Sequence, residues 1–415
     1  MKKFGNANEP GSLGTANNIW LNSSSALEPP HFLYLGEEGE TTTKSFRMNT
    51  SPRAVIFDGG ARGGLKLTGD FYLTRNLSTM TQLILDGSNT TVCTFASKAL
   101  ESTADTALAA HIVKRGTGTW RLNAVNGSEL RGGITIEKGT LEAQTIVAAG
   151  SACSIGKATV RQSAYWGAKD ASKDVPWAIL LGDGTVPEDL ADVGTLSYVG
   201  FSAVDCSTRL VALNGAGRLL NASSVAFTWS GVTSSCEGDH TLVLAGEGTA
   251  DSALNVTNGP GRITVVKEGS GTWTLDHDID VSAFDVRGGT LDVKVAVGDG
   301  ETYVKPTSID FISASSGGTL KVDVPINANG ICCDVATGNG TVQGFTFPAA
   351  GELRVKGAGQ ETTVLPISFV DCTDVGNIAN WTLYVDGRRK TSRRICVTAG
   401  GGIYITGNGI CVTFR

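Results

Sequence analysis

The chain has 415 residues, a formal net charge of −6 and 18% charged residues, against about 25% in ordinary soluble domains. Glycine fills 54 positions, and Thr, Ser, Val and Asn are abundant, a composition of short strands and tight turns rather than helices. The mild negative charge excludes an extended nucleic-acid face, and no apolar run of about 18 residues offers a membrane-spanning helix.

In chain order, Met1-Lys2-Lys3 opens in the manner of an export signal. The apolar core of such a signal is replaced by Gly5, Asn6, Asn8, Glu9 and Pro10. Residues 1–32 are therefore expected to be an irregular segment or cap. Strand signals follow at 33–35, 54–57, 65–73 and 82–85, and continue at 134–136, 179–181, 210–213, 225–229, 241–244 and 263–266. Clusters of Gly, Asn, Asp and Ser separate them. Neither the Gly59-Gly60 and Gly63-Gly64 stretch nor Pro260-Gly261-Arg262 ends in the Gly-Lys-Ser/Thr that a phosphate loop needs.

An internal repeat lies within this pattern. IVKRGTGTWRL at 112–122 returns as VVKEGSGTWTL at 265–275, so Lys114, Gly116, Gly118, Thr119, Trp120 and Leu122 match Lys267, Gly269, Gly271, Thr272, Trp273 and Leu275. Downstream, Gly139, Thr140 and Leu141 match Gly289, Thr290 and Leu291. Upstream, Leu83–Gly87 matches Leu242–Gly246, and Thr103–Leu108 matches Thr249–Leu254. This last match bears on residues 96–110, which look helix-prone alone. Their sister copy runs into Asn258-Gly259-Pro260-Gly261, which stops a helix, so strand and loop are expected in both.

Repeated turn chemistry favours a parallel β-solenoid over a sandwich or barrel, with coils of about 20 to 25 residues stacked at about 4.8 Å. Gly116 and Gly118 are expected to supply positive φ at one corner and Gly139 at the next, with Thr119 and Leu122 in strand positions. Trp120 is expected to stack on a neighbouring coil. The solenoid is expected over 33–300, with repeat copies at about 81–143 and 240–293. Terminal coils and an antiparallel C-terminal hairpin cap are expected over 301–415. Two hairpins are expected in that cap: Trp381–Val385 with Ile395–Thr398 across Asp386-Gly387, and Ile403–Thr406 with Ile410–Phe414 across Gly407-Asn408-Gly409. The cluster Arg388, Arg389, Lys390, Arg393 and Arg394 reads as a solvated hairpin tip, with polyanion contact as its alternative.

Candidate chemistry is sparse. Asp276-His277-Asp278-Ile279-Asp280 is the densest acidic run. It reads as a solvated turn between Leu275 and Val281, with oxygen ligation of Ca²⁺ as the alternative. Asp183 and the pair Asp239-His240 are the other acidic candidates, and Asp183 sits in Gly-Asp-Gly, which is turn chemistry first. The nine cysteines, Cys93, Cys153, Cys206, Cys236, Cys332, Cys333, Cys372, Cys396 and Cys411, form no C-x-x-C pair, so zinc spacing is lacking. Most are expected as small buried hydrophobes, with one or two C-terminal disulfides in an oxidising compartment.

The motif residues, together with Gly132, Gly133, Ile134 and Ile136, resemble the autotransporter-associated β-strand repeat, also called the passenger-associated transport repeat. The resemblance covers roughly 33–293. It implies a right-handed parallel β-helix of the passenger type, placed at the bacterial outer surface or outside the cell. It further implies a structural or adhesive role without catalysis, cofactor or metal. The expected partners are extracellular glycans or a host surface, with no nucleic acid, no membrane insertion and a monomeric state. Two alternatives stand beside it: a glycan- or host-protein-binding module using exposed aromatics, and a carbohydrate-active β-helix enzyme.

Overall fold

The computed structural model describes residues 1–21, 29–48, 54–73, 82–101, 111–123, 130, 132–157, 179–206, 208–247, 252–257, 259–281, 283–294 and 297–298, then 301–302, 310–313, 319–322, 330–334, 340–343, 352–356, 363–364, 367–370, 373–385, 388–397 and 403–406. Two compact units are present: residues 1–223 with 228–230, and residues 224–227 with 231–415.

The first unit is a parallel β-solenoid. One sheet stacks His31–Leu33, Ala54–Asp58, Gln82–Asp86, His111–Lys114, Ile134–Ile136, Ile179–Leu181 and Val211–Leu213 in chain order. A second stacks Glu40–Thr42, Leu65–Leu67, Cys93–Phe95, Thr119–Leu122, Thr140–Ala143, Gly194–Tyr198 and Ala216–Asn221. A third, shorter sheet holds Asn18–Leu21, Ser45–Met48, Phe71–Leu73 and Ala99–Glu101. Each turn of chain adds one strand to each long sheet, paired in parallel with the strand of the turn before. Thus Val113 pairs with Ile84 below and Thr135 above. Of the helix-prone stretch 96–110, Ala99–Glu101 is strand, and residues 102–110 lie outside the described residues.

Where the three sheets surround one interior, phenylalanines fill it. Phe32 stacks on Phe57 at 5.3 Å, Phe57 meets Phe46 edge-on at 4.9 Å, and Phe71 carries the contact to Phe95 at 5.8 Å. Consecutive residues Leu83, Ile84 and Leu85 are all buried, so this strand is covered on both faces. That accounts for its unbroken apolar run.

The second unit repeats the architecture with two parallel sheets. One runs through Ser252–Thr257, Thr272–Asp280, Thr290–Lys294, Thr319–Val322, Gly340–Gln343 and Ile367–Val370. The other runs through Asp239–Gly246, Arg262–Lys267, Ala283–Val286, Asp310–Ser313, Gly330–Asp334, Glu352–Lys356 and Thr382–Val385.

Four expectations are corrected. Coil length is not uniform: Leu275 pairs with Val293, 18 residues on, whereas Leu141 pairs with Leu196, 55 residues on. Solenoid strands fix only the stacked segments, and the corners between them tolerate insertion. The acidic run at 276–280 is not a turn, because the strand Thr272–Asp280 continues through it. Leu254 pairs with Leu275 but Val256 pairs with Ile279, so the strand absorbs its two surplus residues as a bulge. The hairpins are antiparallel as expected but differently partnered. Thr382–Val385 is a solenoid strand, parallel to Glu352–Lys356, and folds back onto Arg388–Arg389. Arg394–Val397 pairs instead with Ile403–Thr406, which also pairs with Thr363–Val364, and residues 410–414 lie outside the described residues. Gly118 is not in the positive-φ region.

Candidate functional site

Two sets of residues stand out: the repeat corner, and an outward row on the short third sheet. The corner is built from the motif. Lys114 ends its strand between Leu85 and Ile136, both fully buried, so its stem lies in the interior. Its ammonium donates to the carbonyls of Arg115, of Gly116 at 2.7 Å and of Lys138 at 3.1 Å. Lys267 repeats this in the second unit, donating to Glu268 at 2.7 Å, Gly269 at 2.9 Å and Gly288 at 3.1 Å. An ammonium has three donors, and here each finds a carbonyl at the bend where strand pairing cannot supply one. Burial pushes both lysines down to about 8. The sequence carries this lysine in both copies, yet no strand or turn rule assigns it a task.

The glycines sit against the same carbonyls. Gly116 has φ +65° and Gly139 +62°, and a Cβ on Gly139 would stand 2.5 Å from the carbonyl oxygen of Gly116. Gly269 and Gly289 repeat the arrangement at +72° and +62°. Gly118 serves by closeness instead, since a Cβ there would lie 2.1 Å from Oδ1 of Asn89. The tryptophans close the corner. Nε1 of Trp120 donates to the Asp86 carbonyl at 2.8 Å, and that of Trp273 to the Ala245 carbonyl at 3.1 Å. Both acceptors belong to the preceding coil and immediately precede the aligned Gly87 and Gly246. Thr119, Leu122, Thr140, Leu141, Thr272, Leu275, Thr290 and Leu291 occupy strands, and of these Leu122, Leu141, Leu275 and Leu291 are buried. The motif is thus fully engaged inside the fold.

Outside the corner, one of the ion pairs that cross between coils recurs in both copies with its charges exchanged. Arg115 pairs with Glu137 at 2.9 Å, and at the aligned positions Glu268 pairs with Arg287 at 3.2 Å.

The acidic candidates do not converge. Asp239 is exposed and held by Arg262 at 2.7 Å, and buried His240 lies 3.0 Å from the Cys236 carbonyl. Asp183 accepts from the backbone and hydroxyl of Thr185 at 3.1 and 2.6 Å and lies 3.5 Å from Lys138. Burial raises its carboxyl, but the Thr185 bonds and the Lys138 ammonium outweigh that and hold it below the usual range. It borders a cleft of ≈ 210 Å³ with Glu137, Asp189 and Asp192. Among the described residues, no group of three His, Cys, Asp or Glu side chains has metal-binding geometry. The side chains of Asp276, Asp278 and Asp280 lie outside the described residues. Of the cysteines, Cys93, Cys153 and Cys206 are buried as expected, Cys236 is exposed, Cys396 is half-buried 3.9 Å from the Thr406 hydroxyl, and the side chains of Cys332 and Cys333 lie outside the described residues. Cys372 and Cys411 lie outside the described residues.

The outward row crosses the third sheet. Trp20 pairs with Arg47 and Arg47 with Tyr72, placing the three on one face of neighbouring strands. The Arg47 guanidinium lies 3.9 Å from the Tyr72 ring centre and 5.5 Å from that of Trp20, which is 60% exposed. Nε of Arg47 donates to Oδ1 of Asn18 at 3.2 Å, and the Tyr72 hydroxyl donates to Asp70 at 3.0 Å. That bond is the main reason the Tyr72 phenol is raised above its ordinary value, with burial adding to it. An exposed Trp in a strand gives no signal of its own in sequence. The row emerges only when the register brings positions 20, 47 and 72 together. No family model, curated protein or solved structure matches the chain.

Proposed function

We propose that the chain is a structural or adhesive scaffold of the autotransporter-passenger kind, acting at a bacterial surface or outside the cell without catalysing a reaction. The observation that carries this reading is the engagement of the repeat motif in the corner itself. Lys114, Lys267, Trp120 and Trp273 bind backbone carbonyls of the solenoid, so the repeated residues maintain a stack rather than form a reactive centre. A stack of parallel coils presents outward side chains at fixed spacing, which suits repeated weak contact with an extended partner.

Two measurements test it. Antibody labelling and protease accessibility on intact producing cells should place the chain outside the envelope, and beads coated with the purified chain should adhere to cell surfaces. Strictly internal labelling, or turnover of a polysaccharide panel above background, would overturn it. A second reading, glycan recognition through exposed aromatics, is favoured by one observation: the Trp20–Arg47–Tyr72 row on the outer face of the third sheet.

A further inference from the structure

We infer that this face binds an acidic glycan, specifically a sugar chain bearing carboxylates, with Arg47 as the anion contact and Trp20 and Tyr72 as the ring platforms. The inference rests on the adhesive reading and names the ligand class for one of its faces.

Two rows run side by side across three adjacent strands. Asn18 pairs with Ser45, and Asp70 lies across from Ser45, with the Phe46 amide donating to the Asp70 carbonyl at 3.0 Å. Two residues further along each strand come Trp20, Arg47 and Tyr72. Side chains alternate along a strand, so both rows share the outward face, at a strand spacing of about 4.8 Å. One row offers amide, hydroxyl and carboxylate groups suited to sugar hydroxyls. The other offers an aromatic ring, a cation and an aromatic ring.

The state of Arg47 decides the charge of the ligand. Its guanidinium lies between two aromatic rings, and its Nε is occupied by Asn18. Among the described residues no carboxylate pairs with it, and Asp70 accepts the Tyr72 hydroxyl. The planar fork is therefore held in place before binding, and little side-chain entropy remains to be lost. A fork so held favours a two-oxygen anion. The exposed Trp20 face favours a flat apolar surface beside that anion, which a carboxylated sugar ring combines in one unit.

The test is binding of a galacturonate oligosaccharide by calorimetry, beside its methyl ester and a neutral glucan of equal length. The ester keeps the ring and removes the charge. The acid form is expected to bind about tenfold or more tightly than either control. R47Q should lose that preference, and R47K should lose most of it, because an ammonium lacks the stacked fork. W20A should weaken binding to acid and ester alike with the melting temperature unchanged, because Trp20 stands outside the core, whereas Y72A should weaken binding and also reduce the preference for the acid, because it removes the ring on which the Arg47 fork is stacked. Equal affinity for acid and ester, or wild-type binding by R47Q and W20A, overturns the inference. Coated beads separate the two levels. Adhesion to cells that survives in W20A and R47Q leaves the adhesive reading standing and removes this site from it, whereas beads that bind neither cells nor glycan overturn both.

Discussion

At the scale of single residues, two buried titratable groups carry most of the sequence's hidden chemistry. Lys114 is fully buried, has no carboxylate partner among the described residues, and is held by three carbonyls. K114M keeps the apolar stem but deprives those carbonyls of their donor, so it should lower stability by about 1–3 kcal/mol in urea titrations. The pH dependence has a definite sign. Between about pH 8 and pH 10.5 the unfolded chain holds a proton that the native corner has released. Native stability relative to K114M should therefore rise across that window, by up to about 1.4 kcal/mol per pH unit. A flat difference between wild type and K114M from pH 7.5 to pH 10 would remove the buried-lysine account. His111 acts at the other extreme. Burial pushes it down to about 3 from an ordinary 6.5, and its Nε2 lies 2.7 Å from the Thr135 hydroxyl. The neutral ring's contribution is complete above pH 6.5 and is lost as pH falls toward 3, because the unfolded chain takes up the proton first. H111Q should accordingly lose less stability than wild type between pH 6.5 and pH 4, as measured by urea midpoints.

At the scale of elements, the corner is the repeated unit, and its parts depend on the coil before. Gly139 has both a positive φ and a carbonyl 2.5 Å from where a Cβ would stand, so G139A should cost about 2 kcal/mol or more. The exchanged ion pair offers a milder probe. R115E should cost roughly 0.2–1 kcal/mol, and R115E/E137R, which recreates the polarity of Glu268 and Arg287, should recover it in a double-mutant cycle. Much of this unit was legible in the sequence. The glycines, Trp120 and the match of Leu83–Gly87 with Leu242–Gly246 named the corner, because turn chemistry and apolar runs are local signals. What was not legible depends on register. The lysine's task requires Lys138 to arrive from the next coil, and the tryptophan's acceptor arrives from the previous one. The terminal hairpins failed for the same reason. Leu383 and Val385 alternate inward in Thr382–Val385, a pattern that suits a parallel or an antiparallel partner, and the stacked Glu352–Lys356 takes one edge. The outward row was the least legible, since positions 20, 47 and 72 share a face only through pairing.

At the scale of the whole molecule, a stack of coils must protect the strand edges and the interior where it is open. Charge is unevenly placed. Residues 373–397 hold five cations and two acids, a net +3, which leaves −9 for the rest of a chain whose total is −6. Within that stretch, exposed Arg388 and Arg389 form the strand beside Thr382–Val385, where cationic side chains discourage another strand from adding. Residues 1–17 do the corresponding work in the first unit by covering the interior. Phe4 is fully buried against Phe32 at 6.3 Å and Tyr34 at 6.0 Å, and the amides of Phe4 and Gly5 donate to the Glu40 carboxylate at 2.9 and 2.7 Å. The Lys44 ammonium ties the same segment down through the carbonyls of Gly14 and Ala16, each at 2.9 Å. F4A should therefore open the end of the phenylalanine column at a cost of about 3–5 kcal/mol. Coils in a solenoid contact only their neighbours, so the loss should be graded along the chain rather than uniform. Hydrogen exchange on F4A should show amides of His31–Leu33 and Glu40–Thr42 losing protection first, while Ile179–Leu181 and Gly194–Tyr198 keep theirs. Equal loss across all these strands would mean that the first unit opens as one cooperative block, and that Phe4 stabilises that block as a whole instead of closing one end of it.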